Sequence, residues 1–228
     1  MATSNTATTT LRPSKAPNLP IAPVEYSQQF MDQFSNVLRL YFNQIDNFGA
    51  GVGGSNGGSY IQFPFIAASD SATQYATANN TATIILWNSL DAGNGFTLNA
   101  NSTATAQVSG TYKITYSLQL ANDFNGAEDV VVWLKSNGTQ INNSTTIFTI
   151  PARKSAGIPA FICGYSECVF PLNAGDNVGL YWGTPRAAAA NGVTGTYIYA
   201  LGAQTTPKAY PAVPSVIGSI TFVSALTT

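Results

Sequence analysis

One ten-residue stretch, 111–120, alternates polar and apolar side chains without interruption. Its apolar positions are Tyr112, Ile114, Tyr116, Leu118 and Leu120. Because successive side chains of a β-strand point to opposite faces, all five lie on the same side of a strand and must face a core. The stretch therefore predicts a strand with one buried face and one exposed face.

Short segments of this kind recur from residue 60 to the end of the chain, separated by turn clusters rich in Gly, Asn and Asp. The predicted strands are 60–67, 81–87, 102–109, 111–120, 130–134, 145–150, 166–172, 177–182, 196–201 and 215–223. Residues 91–95 are predicted to form a turn, and 187–190 a loop. About ten short strands at this spacing are typical of a two-sheet sandwich or jelly roll, so the predicted class is all-β, with residues 60–228 as a jelly-roll head.

The first 23 residues are predicted to be an extended arm. Residues 1–15 are small and polar, a composition that does not bury a core. Pro13, Pro17, Pro20 and Pro23 follow at intervals of three or four and favour an extended path over a helix. Such an arm either lies in a groove of a partner or is a solvated linker.

Residues 24–48 are predicted to form an amphipathic helix, between Pro23 and Gly49. Apolar side chains recur at intervals of three and four: Met31, Phe34, Leu38, Tyr41, Ile45 and Phe48. This spacing indicates a heptad seam. The seam can be covered by other copies of the helix, by a foreign surface or by the chain's own head. The Gly-rich segment 49–59 is predicted to be a flexible linker, which disfavours the last arrangement.

Charge is scarce in this chain. Charged residues make up 8% of it, against 45% hydrophobic residues, and nine basic and ten acidic residues give a net charge of −1. A surface of Thr, Ser, Asn and Gly suits contact with further copies, because few charges need to be desolvated. No basic stripe predicts nucleic-acid binding, and no apolar run predicts a signal peptide or membrane insertion.

Catalytic and cofactor chemistry is not expected. The chain has no histidine, which removes Ser–His and Cys–His pairs. Glu128 and Asp129 are adjacent and would point to opposite faces of a strand. Cys163 and Cys168, predicted to flank a short loop, cannot complete a zinc site alone, and buried or partly buried free thiols are favoured over a disulfide.

Aromatic and loop residues are the candidates for recognition. Trp87, Trp133 and Trp182 could form a sugar-binding platform, but core packing is favoured for Trp133 and Trp182 because each lies in an apolar strand. Receptor contact is then expected from two loops, 123–126 and 186–195. The candidate contact residues are Asp123, Asn125, Arg186 and Asn191.

Two head segments resemble the complement globular heads and the tumour necrosis factor superfamily. Ser109-Gly-Thr-Tyr-Lys-Ile114 is similar to the Gly-x-Tyr strand start of that family, and Leu172-Asn-Ala-Gly-Asp-Asn-Val-Gly-Leu180 to its Leu-x-x-Gly-Asp-x-Val-x-Leu segment. A last strand with Gly218, Ile220 and Phe222 resembles its closing strand. The resemblance implies a jelly roll that forms compact trimers. The acidic calcium cluster of some members is missing here, so no metal is expected.

The arm and helix resemble the N-terminal portion of virion structural proteins of tailed phages of aquatic bacteria, through Asn36-Val-Leu-Arg-Leu-Tyr-Phe-Asn-Gln-Ile-Asp46. This resemblance implies a homotrimeric capsid decoration protein or head fibre on the virion surface. Its arm would then bind other virion proteins, above all the major capsid protein. The alternatives are a receptor-binding tail-fibre or spike knob that recognises a host-surface glycan or protein and, least favoured, a glycan-degrading enzyme.

Overall fold

The computed structural model describes residues 17–21, 24–53, 63–190, 192–206 and 209–226, without the side chains of 47–53. The chain divides into two compact units, Met1–Gln62 and Phe63–Thr228. The predicted contact residues Pro23 and Asn191 lie outside the described residues, as do 1–16 and 54–62. Phe48 lies in the described backbone, but its side chain does not belong to the described part.

The described part of the first unit consists of an irregular segment around Pro17 and Pro20 and one helix, α1 (Gln28–Gly53). Ser27 caps this helix, because its hydroxyl accepts a hydrogen bond from the Phe30 amide at 3.3 Å and its carbonyl accepts one from the Met31 amide at 3.2 Å. Among the described residues, no helix is long and apolar enough to cross a membrane.

Both predicted helix ends, at 24 and 48, were wrong. The helix begins four residues later because Ser27 supplies a side-chain cap, which Pro23 cannot do. It also continues through Gly49 and Gly51 to Gly53, so the first five residues of the predicted linker are helical. A glycine in a helix costs only about 1 kcal/mol relative to alanine, which weakens a helix without ending it.

The second unit is a sandwich of two antiparallel sheets, which confirms the predicted all-β jelly-roll class. Within the described residues, six strands form one sheet: β1 (Phe65–Asp70), β3 (Ser89–Asn94), β6 (Gly110–Asn122), β10 (Ala160–Leu172), β12 (Thr196–Ile198) and β13 (Val216–Ser224). Seven strands form the other: β2 (Thr83–Ile84), β4 (Phe96–Leu98), β5 (Ala104–Ala106), β7 (Glu128–Ser136), β8 (Thr139–Gln140), β9 (Thr146–Ile150) and β11 (Asn177–Gly183).

The six-stranded sheet has the order β10-β6-β13-β1-β3, with β12 also paired to β6. The seven-stranded sheet has the order β4-β5-β11-β7-β8, with β2 paired to β11 and β9 to β7. The strand predicted from strict alternation is central to the first sheet, where β6 alternates buried and partly exposed residues over most of its length.

The core lies between the two sheets and is built from the inward positions of both. Its largest fully buried side chains are Trp182, Tyr112, Ile85, Leu118, Leu120, Leu134, Ile150, Leu172, Leu180, Ile198, Val130 and Val132. Burying side chains of this size stabilises the fold by about 1.5–3 kcal/mol each before conformational entropy is subtracted. An apolar cavity of about 30 Å³ between the sheets is lined in part by Trp87, Gly218 and Ile220.

The segments that carry the family resemblance meet in space. The ring of Tyr112 packs edge-on against Phe222 at 5.6 Å and Phe96 at 5.1 Å. Gly110 leaves the room that the Phe222 ring occupies, because a Cβ at Gly110 would overlap that ring. Glycine and tyrosine at these positions therefore close one end of the sandwich.

Two predicted connections are strands. Residues 91–95 were predicted to form a turn, but β3 pairs with β1 as far as Asn94, and only Gly95, with φ 70°, leaves the strand conformation. The predicted loop between Cys163 and Cys168 lies within β10, whose thirteen residues all pair with β6. In both places, pairing with a neighbouring strand overrides the low strand propensity of glycine.

Candidate interaction surfaces

The apolar stripe of α1 is exposed or only partly buried at every position whose side chain the structure describes. Met31 is 42% exposed and Phe42 57%, Ile45 is also exposed, and Phe34, Leu38 and Tyr41 are only partly buried. None of the described side chains from Gln28 to Asp46 is buried. Phe30 and Phe34 pack on one another, with ring centroids 6.1 Å apart. Contacts within the helix therefore shield the stripe in part but do not bury it.

A second apolar surface is the outward side of β6, β10 and β13, called here the six-stranded outer face. Tyr165 of β10 lies opposite Ser117 of β6, and Ser117 lies opposite Ile217 of β13, so the three form a row across the sheet. Tyr165 is 59% exposed and Ile217 51%. Val169 and Phe161, on the same side of β10, are also exposed.

This face carries almost no net charge. Lys113 and Glu167 are the charged residues at the outward positions of β6, β10 and β13. Their Nζ and Oε2 atoms lie 3.6 Å apart. The neighbouring outward side chains of β6 are the neutral Thr115, Ser117 and Gln119. Covering the face would therefore desolvate one paired couple of charges and otherwise neutral groups, which favours contact with another protein surface.

Aromatic side chains extend the six-stranded outer face at one end. The ring of Phe161 lies 5.0 Å from that of Tyr199, and the ring of Tyr197 lies 5.7 Å from that of Tyr75. Burial, with a smaller contribution from the nearby Asp123 carboxylate, raises the pKa of Tyr197 to about 12. The Tyr197 hydroxyl is therefore uncharged at neutral pH, and the cluster adds no charge to the face.

The predicted receptor-contact residues that the structure describes lie at one end of the head, and two of them hold loops together. The Asp123 carboxylate accepts a hydrogen bond from the Gly195 amide at 2.5 Å. The Arg186 guanidinium lies 3.7 Å from the centroid of the Phe124 ring, and its Nε is 3.0 Å from Glu128 Oε1. Asn125 is exposed. Asp123 and Arg186 thus have a structural role that does not depend on any receptor.

Gly195 was not singled out in the sequence, yet it sets the geometry of this end. A Cβ at Gly195 would lie 2.6 Å from the Arg186 carbonyl oxygen and 2.7 Å from the Ala188 nitrogen. The two ends of the predicted loop 186–195 therefore pack backbone against backbone. The only sequence signal for this contact is a glycine beside a turn, which is not specific.

The acidic residues form structural contacts. Glu128 pairs with Arg186, whereas Asp129 accepts a hydrogen bond from Thr149 Oγ1 at 2.7 Å, so the two adjacent carboxylates are used separately. Asp176 accepts hydrogen bonds from the Asn173 amide and the Asn137 side chain, which lower its pKa. Within the described residues, no three or more His, Cys, Asp or Glu side chains come together as a metal site.

The two cysteines are free thiols in different environments. Cys163 is exposed on the six-stranded outer face, so the prediction that it is at least partly buried was wrong, because its position in β10 points away from the core. Its Sγ lies 3.3 Å from Ser117 Oγ. Cys168 lies five residues further along the same strand, so it points to the opposite side, and burial raises its pKa to about 11. Five strand residues span roughly 16 Å, well beyond the reach of a disulfide.

The three tryptophans occupy different places. Trp182 is fully buried in the core, as predicted, and Trp87 packs against the core while partly exposed. The prediction that Trp133 packs in the core was wrong. It lies on the outward side of β7, because Val130, Val132 and Leu134 take the inward positions of that strand. There it lies directly opposite Tyr181 of β11.

Comparisons with known proteins do not assign the chain to a family. No family model matches the chain, and no curated protein matches it. Among solved structures, the crystal structure of murine APRIL at pH 5.0 is similar to 71% of this chain and 100% of its own, with 18% sequence identity and a TM-score of 0.42.

Proposed function

We propose that this chain is a non-enzymatic structural protein that forms homotrimers through the six-stranded outer face and attaches to a larger assembly through its N-terminal unit. The observation that carries the proposal is the exposed, nearly uncharged row of Tyr165, Ser117 and Ile217 on a sheet of otherwise neutral side chains. An exposed apolar patch of this kind marks an interaction site more often than a solvated surface.

The occupant of this face is a second copy of the chain. The two charged residues of this face, Lys113 and Glu167, neutralise one another, so the face does not select a strongly charged partner. Covering four of its exposed side chains (Phe161, Tyr165, Val169, Ile217) offers about 1.5–3 kcal/mol for each one that is fully buried. Three copies per assembly are implied by the resemblance to a family of trimeric jelly rolls, carried by Gly110, Tyr112 and the Gly175-Asp176 segment.

A matched pair of substitutions tests the self-association. Ile217→Glu places a carboxylate on the six-stranded outer face, and Ile147→Glu makes the same change on β9 of the other sheet, where Ile147 is 62% exposed. Light scattering should show a trimer for the wild type and for Ile147→Glu, and a monomer for Ile217→Glu. Trimers of Ile217→Glu that dissociate no more readily than the wild type would contradict the proposed interface.

The proposed setting is the virion surface of a tailed phage, with the major capsid protein as the partner of the N-terminal unit. Support comes from the stripe of α1, none of whose described side chains is buried, and from the resemblance of residues 36–46 to phage virion proteins. A proline-rich arm ahead of this helix offers an extended segment to lie in a groove between capsid subunits. Three arms on one trimer would compensate for weak attachment of each.

Binding to undecorated capsids tests the attachment. The full chain should cosediment with capsids, and a chain that lacks residues 1–53 should not. Leu38→Glu, within the stripe, should weaken cosedimentation, whereas Asn36→Glu, at an exposed polar position of the same helix, should not. Cosedimentation of the head alone at the wild-type level would contradict attachment through the N-terminal unit.

A further inference from the structure

Two aromatic rings on the outward side of the seven-stranded sheet form a flat surface, called here the aromatic shelf. Trp133 of β7 and Tyr181 of β11 are cross-strand partners, with ring centroids 6.5 Å apart and ring planes 27° apart. Both side chains are partly exposed. The rings therefore lie side by side in nearly the same orientation.

Glycines on the same side of β11 leave room for the two rings. Tyr181 has Gly179 and Gly183 as its neighbours on the same side of β11. A Cβ at Gly179 would be 3.2 Å from Cε2 of Tyr181, and a Cβ at Gly183 would be 3.6 Å from Cη2 of Trp133. Each ring thus extends towards a position without a side chain.

A cation lies over one of the two rings. Nζ of Lys135 is 4.4 Å from the centroid of the Tyr181 ring. Within the described residues, the two ion pairs are Lys113–Glu167 and Arg186–Glu128, so no carboxylate there neutralises Lys135. The indole nitrogen of Trp133 is buried without a hydrogen-bond partner among the described residues. The indole nitrogen is not accessible to a ligand, whereas a ligand that brings a carboxylate to the Lys135 ammonium would pair a charge that has no carboxylate partner among the described residues.

We propose that the aromatic shelf binds a sugar ring that carries a carboxylate, such as a uronic acid unit of an acidic polysaccharide. The C–H bonds on one face of a pyranose carry slight positive charge and match the negative face of an aromatic ring. The carboxylate would pair with the Lys135 ammonium beside that ring. The shelf is on the opposite side of the sandwich from the six-stranded outer face, so self-association leaves it accessible.

The proposal does not depend on the assembly state of the protein or on its attachment to a capsid. General attraction to polyanions does not account for it, because the chain has a net charge of −1. Binding must therefore come from a local arrangement of ring and cation, and each part can be removed separately.

Titration of the intact protein with three soluble polymers tests the proposal. Alginate supplies pyranose rings with carboxylates, dextran supplies rings without carboxylates, and poly-L-glutamate supplies carboxylates without rings. Isothermal titration calorimetry should show saturable binding of alginate, with dextran and polyglutamate each at least about tenfold weaker. Failure of alginate to bind, or equal binding of polyglutamate, would overturn the proposal.

Variants assign the binding to the shelf. Trp133→Ala and Tyr181→Ala should each weaken alginate binding by about tenfold or more, and Lys135→Gln by about threefold with a weaker dependence on salt. Tyr210→Ala and Lys154→Gln remove an exposed tyrosine and an exposed lysine elsewhere and should leave binding unchanged. Circular dichroism confirms folding of each variant, and unchanged alginate binding by folded Tyr181→Ala and Lys135→Gln would refute the assignment.

Discussion

Replacing Gly218 with alanine should destabilise the head through a single contact. Gly218 points inward from β13, and a Cβ there would lie 2.5 Å from Cη2 of Trp87 and 3.3 Å from the Thr115 carbonyl oxygen. Overpacking of a core typically costs about 1–3 kcal/mol. For a domain of this size that corresponds to a decrease of about 2–12 °C in Tm.

The neighbouring cavity sets where in this range the cost lies. Trp87 and Gly218 both line the apolar cavity of about 30 Å³, which is close to the volume of one methyl group. If the Trp87 ring moves into this space, the cost is near 1 kcal/mol, and if the surrounding strands hold it in place, the cost approaches about 3 kcal/mol.

A double-mutant cycle isolates the contact. Trp87→Leu alone should cost about 2–4 kcal/mol because it leaves a cavity, and the double variant Trp87→Leu/Gly218→Ala should cost at least about 1 kcal/mol less than the sum of the single variants. Urea denaturation followed by circular dichroism at one protein concentration measures each free energy of unfolding. Gly202→Ala is the control, since a Cβ there meets nothing within 4 Å. The reasoning is refuted if the costs of the two single variants simply add in the double variant. It is also refuted if the free energy of unfolding of Gly218→Ala is within about 0.5 kcal/mol of the wild-type value.

Three further predictions concern other parts of the head. Gly195→Ala should lower the free energy of unfolding by about 2 kcal/mol or more, since its Cβ would meet backbone atoms of residues 186–188 that cannot rotate away, and urea denaturation would measure this. Burial raises the pKa of Asp70 above its ordinary value of 3.8. The raised pKa stabilises the folded state below pH 3.8, where the carboxyl group is protonated, and this stabilisation is lost as the pH rises through the pKa of the folded state. Asp70→Asn should therefore raise Tm at pH 7 but not at pH 3, and an equal effect at both would contradict this. Maleimide should label Cys163 slowly in the trimer and rapidly in Ile217→Glu. Cys168 should react slowly in both proteins, because only a small fraction of it is thiolate near pH 7.

The sequence predicts the sandwich well where the period of apolar residues is unambiguous. Alternation over residues 111–120 specifies β6 and the side that faces the core. It does not predict that β10 continues through residues 163–168, because Gly164 suggests a loop. In the structure Gly164 is buried, and a Cβ there would lie 3.0 Å from Cδ1 of Leu120, so this glycine allows close packing inside the sheet sandwich.

The candidate surfaces are less predictable because they depend on which side of a strand is covered. The run from Val130 to Leu134 is apolar at every position, so it contains no alternation that would assign Trp133 to the core or to the outside. The row of Tyr165, Ser117 and Ile217 joins residues up to 100 positions apart, and only the strand register brings them together. The stripe of α1, in contrast, depends on local spacing alone and is visible in the sequence.

Light scattering on the intact chain and on a fragment that begins at Phe63 measures most directly whether the sheet face joins the copies. The fragment corresponds to the second compact unit and retains the whole six-stranded outer face but no part of α1. We expect about three times the 23.9 kDa of one chain for the intact protein, and a trimer for the fragment as well. A fragment that remains monomeric at concentrations where the intact chain is trimeric would show that the helix, and not the sheet face, holds the copies together.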